Sequence, residues 1–172
     1  MAGLIVLCGL IAGVSMYYLQ VYHFYAEVPA TGPRDVMVTT RTGDRTPLPH
    51  SDFRAIDANS SPIRYRACFT TDISLAEAAT TFEPYENADP RVAPGWFDCF
   101  DAEAIADGID AGTTRVFVGQ RNMDYGIDRV VAITESGQGY VWHEINDCGD
   151  KAYDGTPLGD DCPDRASFEK DK

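Results

Sequence analysis

Residues 4–25 contain no Asp, Glu, Lys or Arg, and this charge-free run limits the chain's architecture more than any other feature. Wound as a helix, about 22 residues rise about 33 Å, enough to cross the hydrocarbon core of a bilayer. The first part, LIVLCGLIAGVSM, is aliphatic and rich in small residues, and the second, YYLQVYHFY, is crowded with aromatics. Tyr17, Tyr18, Tyr22, His23, Phe24 and Tyr25 read as a belt of amphipathic rings at headgroup depth. A cleaved signal peptide would open on a basic residue and close on a small-x-small site. Here no basic residue precedes the run, and Val28-Pro29-Ala30 matches the site weakly, behind bulky rings. An uncleaved anchor is expected over 1–25, with a cleaved signal peptide as the alternative; a native start upstream, with a short basic leader, bears on the orientation. Leu7 before Cys8 argues against a lipoprotein. Gly9 and Gly13 form a GxxxG pair, the spacing that lets two helix backbones approach closely. Pro29, Gly32 and Pro33 cannot continue a helix, so 26–35 reads as a juxtamembrane linker. A globular domain then fills 36–164, and a polar, flexible tail 165–172.

Cysteines decide the side of the membrane. Arg34, Arg41 and Arg45 follow the helix and nothing basic precedes it, which by the positive-inside rule favours a cytoplasmic domain. Cys68, Cys99, Cys148 and Cys162, however, are an even set within the globular part, as expected of two disulfides in an oxidising compartment. Three pairings are possible. Cys148 and Cys162 bracket the turn-rich CGDKAYDGTPLGDDC, so 68–99 with 148–162 is the preferred one. Cys8 is a small apolar residue of the anchor. Cys68-Phe69 and Cys99-Phe100 resemble the Cys-Phe pairs of periplasmic copper-delivery proteins for cytochrome oxidase, but there both cysteines share one compact motif. No Cys-x-x-Cys is present, and no His lies within four residues of a cysteine, so the spacing rules for zinc fail.

The chain holds 14 Lys and Arg against 27 Asp and Glu, a formal net charge of −13. Such a balance argues against the clustered cations of a nucleic-acid surface and reads as a solubility-type surface. With 44% hydrophobic and 11% aromatic residues, the domain has material for a core.

An α+β fold is expected, a small antiparallel β-meander with two short helices behind one transmembrane helix. Val36–Thr40 is a short β-like run, and RTGDRTPLPH reads as a loop. Residues 63–71 alternate as a half-buried strand. Ser74-Leu75-Ala76-Glu77 is a capping box with Ile73 as staple, opening a helix from Leu75 to about Phe82 that Pro84 ends. Residues 82–96 form a surface excursion. Asp101 caps a helix over 102–111 that Gly112 stops. Residues 114–120, 127–134 and 139–145 are three strands, the last two joined by a turn at Ser136–Gly139.

Catalytic signatures are missing: no Gly-x-Ser-x-Gly, His-Glu-x-x-His or phosphate loop occurs, and without a nucleophile, base and orienting group the chain does not read as an enzyme. No cofactor is implied. His143 alternates with Val141 and Ile145 as a packed strand histidine. His50 and Asp52, in a Pro-flanked loop, are an acid–base candidate. Asp150, Asp154 and Asp160 are weak Ca²⁺ candidates in an acidic loop that lacks EF-hand spacing. Trp96 and Phe97, beside Pro94-Gly95, are candidate partner contacts, weighed against covering the core near Cys99.

Met16–Tyr22 and Asp124-Tyr125-Gly126-Ile127-Asp128-Arg129-Val130-Val131-Ala132 resemble a family of short single-pass envelope proteins of alphaproteobacteria. The resemblance implies a Gram-negative cell and a periplasmic domain on the inner membrane, and transfers no functional residue. The expected function is that of an interaction protein, an accessory subunit or assembly factor of a membrane complex, docking through the helix or forming a homodimer. The alternatives are a ligand-binding or sensory module for Ca²⁺ or a small solute, and a thiol or copper factor in oxidase assembly.

Overall fold

A computed structural model describes residues 2–159 and 162–168. Helix α1 (Ala2–Tyr18) runs into a π-helical turn over Leu19–His23. Together, Ala2–His23 is long and apolar enough to cross a membrane, and none of it is buried in the protein.

Only Phe24 and Tyr25 separate this helix from the domain. Strand β1 (Ala26–Val28) pairs antiparallel with β4 (Ser51–Asp57), Ala26 opposite Asp57 and Val28 opposite Ala55. The segment read as a linker therefore carries an edge strand, and the sheet begins ten residues before the expected domain boundary. Three residues are too few for an alternating pattern, and β4, SDFRAID, hides its own alternation behind charges and a bulge between Ser51 and Arg54. β2 (Met37–Thr39) and β3 (Arg45–Pro47) make a small hairpin, so the segment read as a loop holds a strand. β5 (Arg66–Thr70), β6 (Thr114–Asp124), β7 (Ile127–Thr134) and β8 (Gln138–Ile145) complete the main sheet in the order β1-β4-β5-β8-β7-β6. The expected meander is its β6-β7-β8 half.

Both faces of this sheet are covered, which corrects the half-buried reading of β5: Arg66 and Cys68 are as buried as Ala67 and Phe69. On one face Ala67, Phe69, Val131, Ile133 and Val141 pack under the β2-β3 hairpin and α2 (Leu75–Thr81), with Val38, Leu48 and Phe82 filling between. On the other, Ile56, Cys68, Val130, Ala132 and Trp142 pack under α3 (Ala102–Asp110), Phe97 and Phe100. Alternation still sorts side chains between the faces, but both are apolar. Gly139 sits under the Phe69 ring, and a Cβ there would lie 2.1 Å from Phe69 Cζ. The ring occupies the space that any other residue would need.

The two helices start as their sequences require. Ser74 accepts from the Glu77 amide at 3.2 Å, and Asp101 accepts from the Glu103 and Ala104 amides at 3.1 Å each, satisfying first-turn donors. A last turn, α4 (Arg165–Phe168), lies against Tyr125, with the Phe168 ring centroid 5.9 Å and the Arg165 guanidinium 5.3 Å from that ring. Residues 165–168 of the expected flexible tail are thus helical and packed.

Candidate functional site at the helix exit

Between Phe82 and Asp101 the chain forms no helix or extended strand, yet it is firmly held. Three groups on the sheet hold it. Arg66, 3% exposed, donates from Nε to the Arg91 carbonyl at 2.8 Å and from Nη2 to that of Val92 at 3.4 Å. Its Nη1 serves the carbonyls of Ile63 and Tyr65. Burial lowers the guanidinium pKa to about 10, Arg91 and Arg64 adding to the effect while Tyr25 and Glu144 oppose it. At neutral pH the group remains charged, and its donors stay occupied. Glu144, 4% exposed, accepts from the Asp89 amide at 2.7 Å and the Trp142 indole at 2.6 Å. Burial pushes its carboxyl upward, against those bonds and the Arg91 guanidinium 3.7 Å away. The third clamp is the Cys68–Cys99 disulfide, which spans 31 positions.

The clamped loop carries Trp96 to the end of the apolar helix. The Trp96 indole donates to the Val21 carbonyl at 2.7 Å, taking up an acceptor that the π-helical turn leaves open at a helix end. Tyr25 meets Trp96 edge-on at 6.2 Å, and the Arg64 guanidinium lies 5.7 Å from the Tyr25 ring. Trp96 therefore contacts the protein's own helix, while Phe97 is 4% exposed and belongs to the core. Arg54 lies over the Phe97 ring at 5.5 Å and pairs with Asp98 at 3.0 Å.

Two hollows flank β4 near this joint. The smaller, about 340 Å³, is bordered by Trp96, Phe97, Arg54 and Glu27. The larger, a groove of about 620 Å³, has a floor of Pro47, Leu48 and Phe53 and is edged by Asp35, His50 and Asp52. Ala30 and Phe53 are common to the two linings. His50 donates from Nδ1 to the Leu48 carbonyl at 2.8 Å, which leaves Nε2 unprotonated on the neutral ring. Asp35 accepts from the amides of Thr31 and Gly32 and from the Thr31 hydroxyl. Burial works upward on this carboxyl, but those bonds and the charge of His50 hold it below the usual value. Asp52 stands at φ 51°, in the left-handed region, at the β4 bulge, and accepts from the Thr70 hydroxyl at 3.1 Å. His50 and Asp52 thus share a groove, with Asp35 as a third member that the sequence did not single out.

The other candidates lie elsewhere. His143, 3% exposed, donates from Nδ1 to the Pro62 carbonyl at 2.5 Å and accepts at Nε2 from Arg129 at 3.0 Å. Its ring stacks on Tyr65 at 5.0 Å. Burial lowers its pKa to about 4, the Pro62 bond working against this and the charges of Arg129 and Arg66 with it. It is a neutral histidine filling the core. Cys148 pairs with Cys162, so all four domain cysteines stand in the preferred pairing and the described domain has no thiol; Cys8, in α1, is free. Gly9 and Gly13 have open space where a Cβ would be. Asp150 borders a polar cleft of about 500 Å³ with Asp128, Arg121 and Asn146. Asp154 is tied to Thr156, and Asp160 lies outside the described residues. Among the described residues no three His, Cys, Asp or Glu side chains are grouped to hold a metal.

Asp128, 1% exposed, accepts from the Asn122 amide and the Asn146 side chain at 2.7 Å each. Asn146 in turn accepts from the amides of Cys148 and Gly149, while Gly126 and Gly149 meet backbone to backbone. This knot joins the β6-β7 turn to the second disulfide loop.

The chain belongs to a family of unknown function, DUF6446, whose model matches residues 36–163. No curated protein and no solved structure matches it.

Proposed function

We propose that this member of the DUF6446 family is a membrane-anchored interaction protein of the bacterial inner membrane. Its domain stands in the periplasm and serves as an accessory subunit or assembly factor of a membrane complex. The observation that supports this reading is the joint at the helix exit. An anchor that only tethers can be followed by a loose linker. Here the helix passes into strand β1 after two residues and is fastened sideways by the Trp96–Val21 hydrogen bond. A partner that packs on α1 within the bilayer would thereby fix the height and rotation of the domain above it. Gly9 and Gly13 offer a surface on which such a helix could approach closely. The two disulfides support an oxidising compartment, and a periplasmic domain on an alphaproteobacterial envelope protein fits both.

The test is to tag the C-terminus in the native host, solubilise membranes in mild detergent and identify what co-purifies. A membrane protein recovered in near-stoichiometric amount, and lost with Gly9→Ile or Gly13→Ile, supports the proposal. Recovery of the protein alone refutes it. A ligand-binding module is the second reading, favoured by the groove along β4, and a solute that raises the melting temperature of the purified chain would support it.

A further inference from the structure

The main sheet ends in β1 on one side and β6 on the other. β1 is three residues long and carries Glu27 at its centre, two devices that discourage a further strand. β6 is longer, and only part of its outer edge is covered. Residues 83–85 run antiparallel beside it, the Val118 amide donating to the Glu83 carbonyl and the Tyr85 amide to the Val116 carbonyl, each at 2.9 Å. The chain then turns away through Asn87, at φ 57°. Because the Val116 carbonyl faces Tyr85, the backbone groups of Val116 and, two residues back, of Thr114 point away from β7. Thr113 fixes the same phase, its carbonyl accepting from the Glu135 amide on the β7 side. Among the described residues the Val116 amide and both backbone groups of Thr114 have no hydrogen-bond partner. Thr114 is 4% and Val116 6% exposed, and backbone groups so shielded are seldom left unpaired.

A hollow of about 400 Å³ opens on this uncovered stretch. Ala79 of α2 walls it on one face of the sheet and Ile109 of α3 on the other, with Pro84 and Tyr85 at the end where coverage stops. Arg41 and Arg115 line the same hollow. Arg41 is steadied by bonds from Nε and Nη2 to the Ala79 carbonyl at 3.3 and 2.8 Å. Arg115 alternates with Val116, which packs in the cluster under α3, so its side chain projects on the α2 face, where Arg41 also stands. Neither guanidinium takes part in an ion pair among the described residues. In a chain of net charge −13, two such cations on one hollow favour an acidic occupant.

We propose that this notch takes an extended peptide segment of a partner protein, added as a strand to the open end of β6, with an acidic side chain toward Arg41 and Arg115 and its apolar neighbours toward Ile109. Strand addition brings acceptors to the Thr114 and Val116 amides and a donor to the Thr114 carbonyl. Side chains adjacent in the peptide fall on opposite walls, so the recognised pattern is apolar, acidic, apolar. The inference rests on the interaction-protein reading and names a contact for it outside the membrane helix. Its test uses the purified chain, so it can fail while co-purification through α1 succeeds, and the reverse.

The experiment is amide NMR of the ¹⁵N-labelled full chain in mild detergent, titrated with acetyl-Thr-Val-Glu-Val-Thr-amide and with the same peptide carrying Lys in place of Glu. The Glu peptide is expected to saturate at about millimolar concentration, to slow hydrogen exchange at the Thr114 and Val116 amides, and to bind several-fold tighter than the Lys peptide. Arg115→Gln should weaken the Glu peptide about threefold and leave the Lys peptide no weaker. That side chain is exposed, so an unchanged melting temperature shows that the variant folds. Methylating one alternate set of peptide backbone amides should abolish binding, while methylating the other set leaves it, as pairing on a single edge requires. Equal affinities for the two peptides, or shifts that map to β1 instead, overturn the proposal. So do Thr114 and Val116 amides that exchange as slowly as paired strand amides before any peptide is added.

Discussion

Replacing Cys68 and Cys99 together by alanine removes one of the three clamps on the 83–100 loop, and its cost can be worked out in advance. The bridge spans 31 positions. On the chain-entropy account, opening a loop of that length costs about 3.7 kcal/mol at 25 °C. A domain of about 140 residues unfolds with about 0.3 kcal/mol/K of entropy at its midpoint, so the melting temperature should fall by about 12 °C. The Cys148–Cys162 bridge spans 14 positions, and its removal should cost about 3 kcal/mol, or about 10 °C. These two falls are close, so location separates them better than size. Without Cys68–Cys99 the middle of the loop is left to the Arg66 and Glu144 clamps, and Arg91 precedes Val92, which is 80% exposed. Brief trypsin treatment under native conditions should cut after Arg91 faster in the Cys68/Cys99 variant and not in the Cys148/Cys162 variant. Calorimetry and mass mapping of the fragments read both quantities. A fall of less than about 4 °C, or cleavage after Arg91 at the parent rate, would show that the disulfide does not hold the loop.

Protonation of His143 sets a pH dependence. Its folded pKa of about 4 lies below the unfolded value of about 6.5, so below that value the unfolded state binds more protons. The contribution is fully present above pH about 6.5 and is lost as pH falls toward 4, up to about 3 kcal/mol. His143→Gln should flatten urea-derived stability across that window, while the raised carboxyls of Glu144 and Asp57 work in the opposite direction in both proteins. Gly139→Ala should destabilise by about 2 kcal/mol through overpacking against Phe69. Phe69→Leu added to it should cost less than the two changes summed, and strict additivity in chemical denaturation would refute the contact. Trp96→Phe keeps a ring but loses the indole donor to Val21. Domain stability should change by about 1 kcal/mol or less, while the distance distribution between spin labels at Gln20 and Glu103 should broaden; an unchanged distribution refutes the joint.

Elements written in local chemistry were legible from the sequence. The caps at Ser74 and Asp101, the turn at Gly137, the strand over 127–134 and the cysteine pairing all rest on neighbours a few residues apart or on loop length. What was not legible depends on distant partners. β1 is a strand because β4 lies beside it, and nothing in Ala26–Val28 announces that. Arg66 reads as the polar side of an alternating strand, and only a second covering layer makes it a buried clamp. Of the groove, His50 and Asp52 were visible through their Pro-flanked setting. Asp35 was not, because only the chain after β1 brings it there. Asp128 lay within a segment noted for its resemblance, and its bonds to Asn122 and Asn146 give that segment a structural task.

The shortness of the passage from helix to sheet also sets where the protein can search. Two residues of slack reach about 7 Å at full extension, and the Trp96 bond takes up part of that. A domain of about 140 residues has a radius of gyration near 14 Å. In a bilayer crossed by α1, the domain stays within a layer roughly one domain thick and cannot swing to meet proteins deep in the aqueous compartment. Encounters become two-dimensional, with the effective concentration set by crowding in the membrane plane rather than by dilution in the compartment. A partner must bring its contact surface down to the lipid, and a receptor that presents its binding face on a tall stalk is out of reach.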